Sequence, residues 1–163
     1  FFGYIPSGIF LAIFGFTASA IFSKSTLSQI GFLGIGIFYG IATVIVGIFP
    51  CDEGCNREFT DPSLSQIIHN LIGMLTYMFV PISIILVGTG LRHSEKFKGL
   101  SVTSFIFGLI SIAFIGLLIS DLFTTYLGLY QRIIEGTFII WIIVCSIYIR
   151  STNEFDLSTR FSK

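Results

Sequence analysis

Five long apolar runs take up most of this chain: Ile5–Phe22, Gln29–Pro50, Gln66–Gly90, Gly99–Ser120 and Leu129–Ile149. Each is close to the roughly 20 apolar residues that cross a bilayer as a helix. In hydrocarbon, a chain segment must satisfy its own backbone hydrogen bonds, which a helix does within one segment. The runs therefore predict an all-α, polytopic transmembrane helix bundle with five spans. They form one transmembrane domain over residues 1–150, followed by a polar cytoplasmic tail over 151–163. Only 11% of the 163 residues are charged, against about 25% in a typical soluble domain. No stretch between runs is long enough to bury a core of its own. Nine basic residues balance nine acidic ones and form no basic stripe, so no nucleic-acid partner is expected.

The connecting segments set an orientation. Lys24 precedes the second run. Cys51–Ser65 carries Asp52, Glu53, Glu58 and Asp61 against Arg57 alone. Leu91–Lys98 holds Arg92, His93, Glu95, Lys96 and Lys98, while the segment between the fourth and fifth runs has Asp121 and no Lys or Arg until Arg132. The tail carries Arg150, Arg160 and Lys163. Basic residues thus alternate sides, and the positive-inside rule places Lys24, Arg92–Lys98 and the C-terminus in the cytoplasm of a cell bounded by a cytoplasmic (inner) membrane. Cys51–Ser65 and Asp121–Gly128 face outside. The chain begins Phe1-Phe2-Gly3, which predicts a sixth span upstream; a five-span protein with an exported N-terminus is the alternative.

Gly36 and Gly40 make a small-xxx-small pair in the second run, a surface for close helix contact that favours intramolecular packing over a dimer face. Pro81 predicts a kink near Met78–Pro81. Tyr126 and Tyr130 suit an interfacial aromatic belt, and Trp141 lies deeper and packs. Cys145 reads as a small packing residue. The tail from Ser151 is expected to be poorly ordered.

The polar residues gather at the outer ends of the runs. Cys51 and Cys55 lie in an exported segment, where disulfides persist, and an intervening Gly54 lets four-residue spacing close a small ring. A disulfide is the reading; a metal site is its rival, but two Cys and one nearby His are an incomplete ligand set. His69 and Asn70 head the third run. His69 reads first as a hydrogen-bonded structural residue, and as a haem ligand it lacks a second intramembrane His. Asp121 ends the fourth run, and Gln131, Arg132 and Glu135 open the fifth. Arg132 and Glu135 share a helix face and can pair. Ionisable groups at this depth usually face the bundle interior or water, so Asp52, His69, Asp121, Arg132 and Glu135 can form one outer polar pocket. In that pocket Arg132 points inward, toward Glu135 or Asp121. The ligand-binding candidates are His69, Asn70, Asp121, Gln131, Arg132 and Glu135. Of these, His69, Arg132 and Glu135 are weak catalytic candidates. No metal or cofactor is expected.

Phe49-Pro50-Cys51-Asp52-x-Gly54-Cys55 after a Gly-rich span, His69-Asn70 at the head of the next, and Gly128-Leu129-x-Gln131-Arg132 before the last together resemble a prokaryotic membrane family, domain of unknown function 998. The likeness covers most of the chain. It implies six spans in all and brings no established activity. A more distant likeness in layout links that family to the Frag1/DRAM/Sfk1 group, some of whose members are associated with lipid and GPI-anchor handling.

Three functions fit these features. The first is a non-catalytic membrane component or subunit that binds lipid or other membrane proteins. The second is an intramembrane enzyme acting on lipid head groups at the outer leaflet, with His69 as acid/base and Arg132 holding a phosphate. No nucleophile motif or acidic pair accompanies those residues. The third is a small transporter, for which Pro81 and Asp121 are the clues, although the runs show no inverted repeat. The first needs only the topology and leads.

Overall fold

The computed structural model describes residues 3–22, 24–56, 59–120 and 125–161, with side chains described as far as residue 151. All regular structure among these residues is helical. Five long helices carry it: α1 (Tyr4–Ile21), α2 (Thr26–Ile48), α3 (Leu64–Leu91), α4 (Lys98–Ser120) and α5 (Leu127–Phe161). Each is long and apolar enough to cross a membrane. Single 3₁₀ turns sit at Glu53–Cys55 and Glu95–Phe97.

All five helices start before their apolar runs, and at two of them a serine cap lies outside the run. Ser25 accepts the Ser28 N–H (3.4 Å) at the head of α2, and Ser63 accepts the Gln66 N–H (3.1 Å) at the head of α3. Such caps satisfy donors that a helix start leaves unpaired. At the other end, α5 does not stop at Ile149 but runs on to Phe161. The polar segment expected to be poorly ordered continues the helix there, since no Gly or Pro interrupts 137–161.

The chain divides into two compact units, Phe1–Val87 and Gly88–Lys163. In the first, α1 and α2 pack antiparallel through small residues. A Cβ on Gly8 would stand 2.7 Å from the Val44 nitrogen and 2.8 Å from the Gly40 carbonyl oxygen. Gly15 lies against Gly36, and Gly40 against Ala12, closer still. The Gly36/Gly40 pair thus serves contact within the chain. On its other side α2 approaches α3. Gly31 has the Ser83 carbonyl and Val87 as neighbours, and Ser28 Oγ donates to the Val87 carbonyl at 3.5 Å. Phe38 stacks on Phe79 with ring centres 4.4 Å apart, while buried Phe32 stacks under Phe22 at 5.0 Å.

The α2 helix departs from α-geometry. Gly36–Ile41 form a π-helical turn, closed by the Ala42 N–H on the Ile37 carbonyl. By contrast, α3 is helical from Leu64 to Leu91 through buried Pro81. Membrane helices tolerate proline where surrounding groups make good the lost bond, and the kink expected at Met78–Pro81 brings no break in the helix.

In the second unit α4 and α5 also run antiparallel. Ser111 and Thr137 hydroxyls share a hydrogen bond of 2.6 Å, and Trp141 Nε1 donates to Ser104 Oγ at 2.9 Å. Tyr148 closes over Gly99 at the far end. Trp141 and Cys145 are fully buried, as their packing roles require. Large apolar side chains point outward along the helices, among them Phe10 and Ile147, as they do where the solvent is lipid.

Candidate functional site

The segment that joins α2 to α3 brings the polar groups at this end of the first unit together. It leaves α2 through Phe49 and Pro50 and turns at Glu53–Cys55. Cys51 and Cys55 are joined by a disulfide, with Cα atoms 5.0 Å apart. Both thiols are therefore unavailable as metal ligands. The turn needs left-handed backbone: Gly54, Cys55 and Asn56 have φ of 67°, 57° and 33°. Glycine adopts this region freely, whereas Cys does so against steric resistance.

Asp52 is the centre of the arrangement. Its carboxylate accepts the Ser63 hydroxyl and, at 3.1 Å, the Ser63 N–H. These two bonds, the hydroxyl first, hold its carboxyl below the usual value of 3.8, because hydrogen bonds to the charged form favour that form. The Asp52 N–H donates to Gln66 Oε1 at 2.8 Å. Gln66 is fully buried, and its Nε2 donates to Asn70 Oδ1 at 2.8 Å. Ser65 Oγ donates to the Pro50 carbonyl at 2.6 Å.

His69 is half-buried, and its Nδ1 lies 3.1 Å from the Phe49 carbonyl oxygen. A carbonyl oxygen can only accept, so Nδ1 carries the proton and Nε2 of the neutral ring is left as the acceptor. The His69 ring thus ties the first turns of α3 to Phe49, the residue that follows α2. Two of the three motif segments, Phe49–Cys55 and His69-Asn70, are in this way a single hydrogen-bonded junction. Asn56 extends it outward, exchanging two hydrogen bonds with the Thr60 backbone at 3.0 and 3.1 Å.

The remaining candidates belong to the second unit. Arg132 is exposed instead of turned inward. It donates from Nη1 to the Gly128 carbonyl one turn back, at 2.9 Å. Gly128 leaves room for this: a Cβ there would stand 3.0 Å from the same nitrogen. Gln131 is exposed and Glu135 half-buried on the same helix. Asp121 lies outside the described residues, as do Arg57 and Glu58. Tyr126 is exposed, and Tyr130 lies against Phe114 with ring centres 6.2 Å apart.

Sequence reasoning missed Ser63, Ser65 and Gln66, which do much of the joining. A signal was present: Ser63-x-x-Gln66 before an apolar run is a capping-box pattern. Only half the box is used here, since the Gln66 side chain turns to Asp52 and Asn70.

The family described as "Protein of unknown function (DUF998)" matches residues 2–148. No curated protein and no solved structure matches the chain. The wider likeness to the Frag1/DRAM/Sfk1 group has no support among these findings. A match over most of the chain, on an all-helical fold whose junction unites two of the motif segments, makes this protein a member of the DUF998 family.

Proposed function

We propose that this protein is a non-catalytic component of the cytoplasmic membrane that binds membrane lipid or other membrane proteins. In this reading the Cys51–Ser65 loop lies outside and the C-terminus in the cytoplasm. The observation that supports it is the way the polar residues of the α2–α3 junction are used. Asp52, Ser63, Ser65, Gln66, Asn70 and the Nδ1 of His69 bond to one another or to nearby carbonyls. Groups so engaged hold two helices in register and are poorly placed to act on a substrate. Arg132 likewise bonds the backbone of its own helix.

A second reading, an intramembrane enzyme acting on lipid head groups, draws on His69 alone. Its Nε2 remains an acceptor, and a general base needs one. The two readings separate in one experiment. The protein is purified from its native membrane into lipid nanodiscs, and co-purifying protein and lipid are identified by mass spectrometry. The same preparation is then incubated with labelled phospholipids. A stoichiometric protein or lipid companion with no head-group turnover supports the component reading. Turnover that His69→Ala abolishes while His69→Asn leaves the fold intact overturns it.

A further inference from the structure

The Cys51–Cys55 ring encloses Asp52, and Asp52 is the residue on which the α2–α3 junction converges. Its carboxylate receives Ser63 at the head of α3, and its N–H reaches buried Gln66. The Cys55 N–H also returns to the Asp52 carbonyl at 2.8 Å. The covalent ring and the junction thus share one residue. Cys55 is exposed, so an incoming thiolate can reach it. Within the ring Cys55 has positive φ, a backbone conformation that a non-glycine residue keeps only while its surroundings enforce it.

We propose that the Cys51–Cys55 bond is a redox-operated lock on the α2–α3 junction, opened by a dithiol reductant and closed again by a disulfide oxidant. One thiolate of the dithiol attacks Cys55 Sγ. The S–S bond breaks, Cys51 leaves as a thiolate, and it takes up a proton. The second thiol of the reductant then attacks its own sulfur in the mixed disulfide and releases Cys55, which is protonated in turn. Two electrons and two protons pass to the protein, and the dithiol leaves as a disulfide. With the ring open, Cys55 leaves the left-handed region and Asp52 is no longer held under Ser63 and Gln66. The start of α3 then loses its anchor while α4 and α5 keep theirs. The natural reductant or oxidant would be a thiol–disulfide exchange protein on the side of the membrane where this loop lies. The chemistry itself does not depend on what the protein binds.

The test uses the folded full chain in detergent micelles, with dithiothreitol as the dithiol. Alkylation followed by mass spectrometry reads the state of Cys51 and Cys55, and hydrogen exchange reads the junction. Millimolar dithiothreitol is expected to reduce the bond without unfolding the protein. Exchange at the Asp52, Ser63 and Gln66 amides should then rise about tenfold or more, with the Ser104–Ser111 amides unchanged. Re-oxidation with oxidised dithiothreitol should restore the original protection. A Cys51→Ser/Cys55→Ser variant should show the open pattern with or without reductant. The proposal is overturned if the bond survives dithiothreitol in the folded protein. Reduction that leaves the junction amides as protected as before overturns it too, as does reduction that unfolds α4 and α5 along with the junction.

Discussion

Gln66 and His69 differ from Arg132 in a way that charge alone does not reveal. Gln66 is neutral, fully buried and bonded at both ends of its amide. Removing it strands an N–H on Asp52 and an acceptor on Asn70. We expect Gln66→Leu to lower stability by about 1–3 kcal/mol, from the loss of two hydrogen bonds worth about 0.5–1.5 kcal/mol each. His69→Ala should lose about 1 kcal/mol through the Phe49 carbonyl. Arg132→Ala should stay within about 0.5 kcal/mol, as exposed substitutions usually do. Thermal or steric-trap unfolding in one detergent ranks the three, and an Arg132 variant as damaging as the Gln66 variant would refute the order. Asp52 adds a pH dependence. Its carboxyl titrates lower in the folded protein than its ordinary 3.8. Its contribution is therefore complete above that value and is lost as the pH falls below it, through the lowered native value. Melting curves of wild type should fall more steeply below about pH 4 than those of Asp52→Asn. Parallel curves would show that Ser63 does not favour the ionised form. At this scale the sequence was legible where chemistry is local. The Cys pair and the carbonyl-bonded His69 were readable from spacing and position. The inward-pointing Arg132 was not, because Gly128 lets the guanidinium fold back along its own helix, and depth in a sequence says nothing about that.

At the scale of elements, apolar length was a strong signal and the ends of helices a weak one. The runs fell short of the helices most clearly where a serine cap or a polar continuation extended them, at Ser25, Ser63 and beyond Ile149. One irregularity was not foreseen at all. Proline announces a lost donor, but the π turn at Gly36–Ile41 contains only residues that an ordinary helix also accepts. The contact between α4 and α5 was hidden for a related reason, since Ser104 and Ser111 look like tolerated polar residues until a partner appears. The Ser104–Trp141 bond is open to direct measurement. A double-mutant cycle of Ser104→Ala and Trp141→Phe should give a coupling of about 0.6 kcal/mol, the average for interhelical hydrogen bonds in membranes, and no more than about 1.7 kcal/mol, the largest found. A coupling indistinguishable from zero would mean that the indole N–H does as well without the hydroxyl.

For the whole molecule, the sequence carried the all-helical class and the family, since apolar length and motif order are properties of the entire chain. Orientation rests on a different physical cause, the alternation of basic residues, and has its own check. Single cysteines at Thr60 and Lys96, both exposed, are introduced into a chain whose native cysteines are replaced by serine. An impermeant maleimide on intact cells should label position 60 and leave position 96 unlabelled until the membrane is opened. The opposite pattern would reverse the orientation and place the Cys51–Cys55 ring in a reducing compartment. The function was least legible because the residues that looked chemical, Asp52 and His69 above all, turned out to be bonded within the junction.

The wide turn in α2 has a consequence for how this chain can change length. A π turn bonds residue i to i+5, one residue further along than the α pattern, as Ala42 does to Ile37. Taking a single residue out of 36–41 would restore ordinary winding while leaving both flanks on their present faces. Gly31 would still meet Ser83, and Phe49 would still present its carbonyl to His69. The same deletion anywhere else between Thr26 and Ile48 would swing one flank by about 100°, the angle between successive residues of an α-helix, and turn a buried stripe toward lipid. Shorter relatives of this protein should therefore have lost their residue inside this one turn.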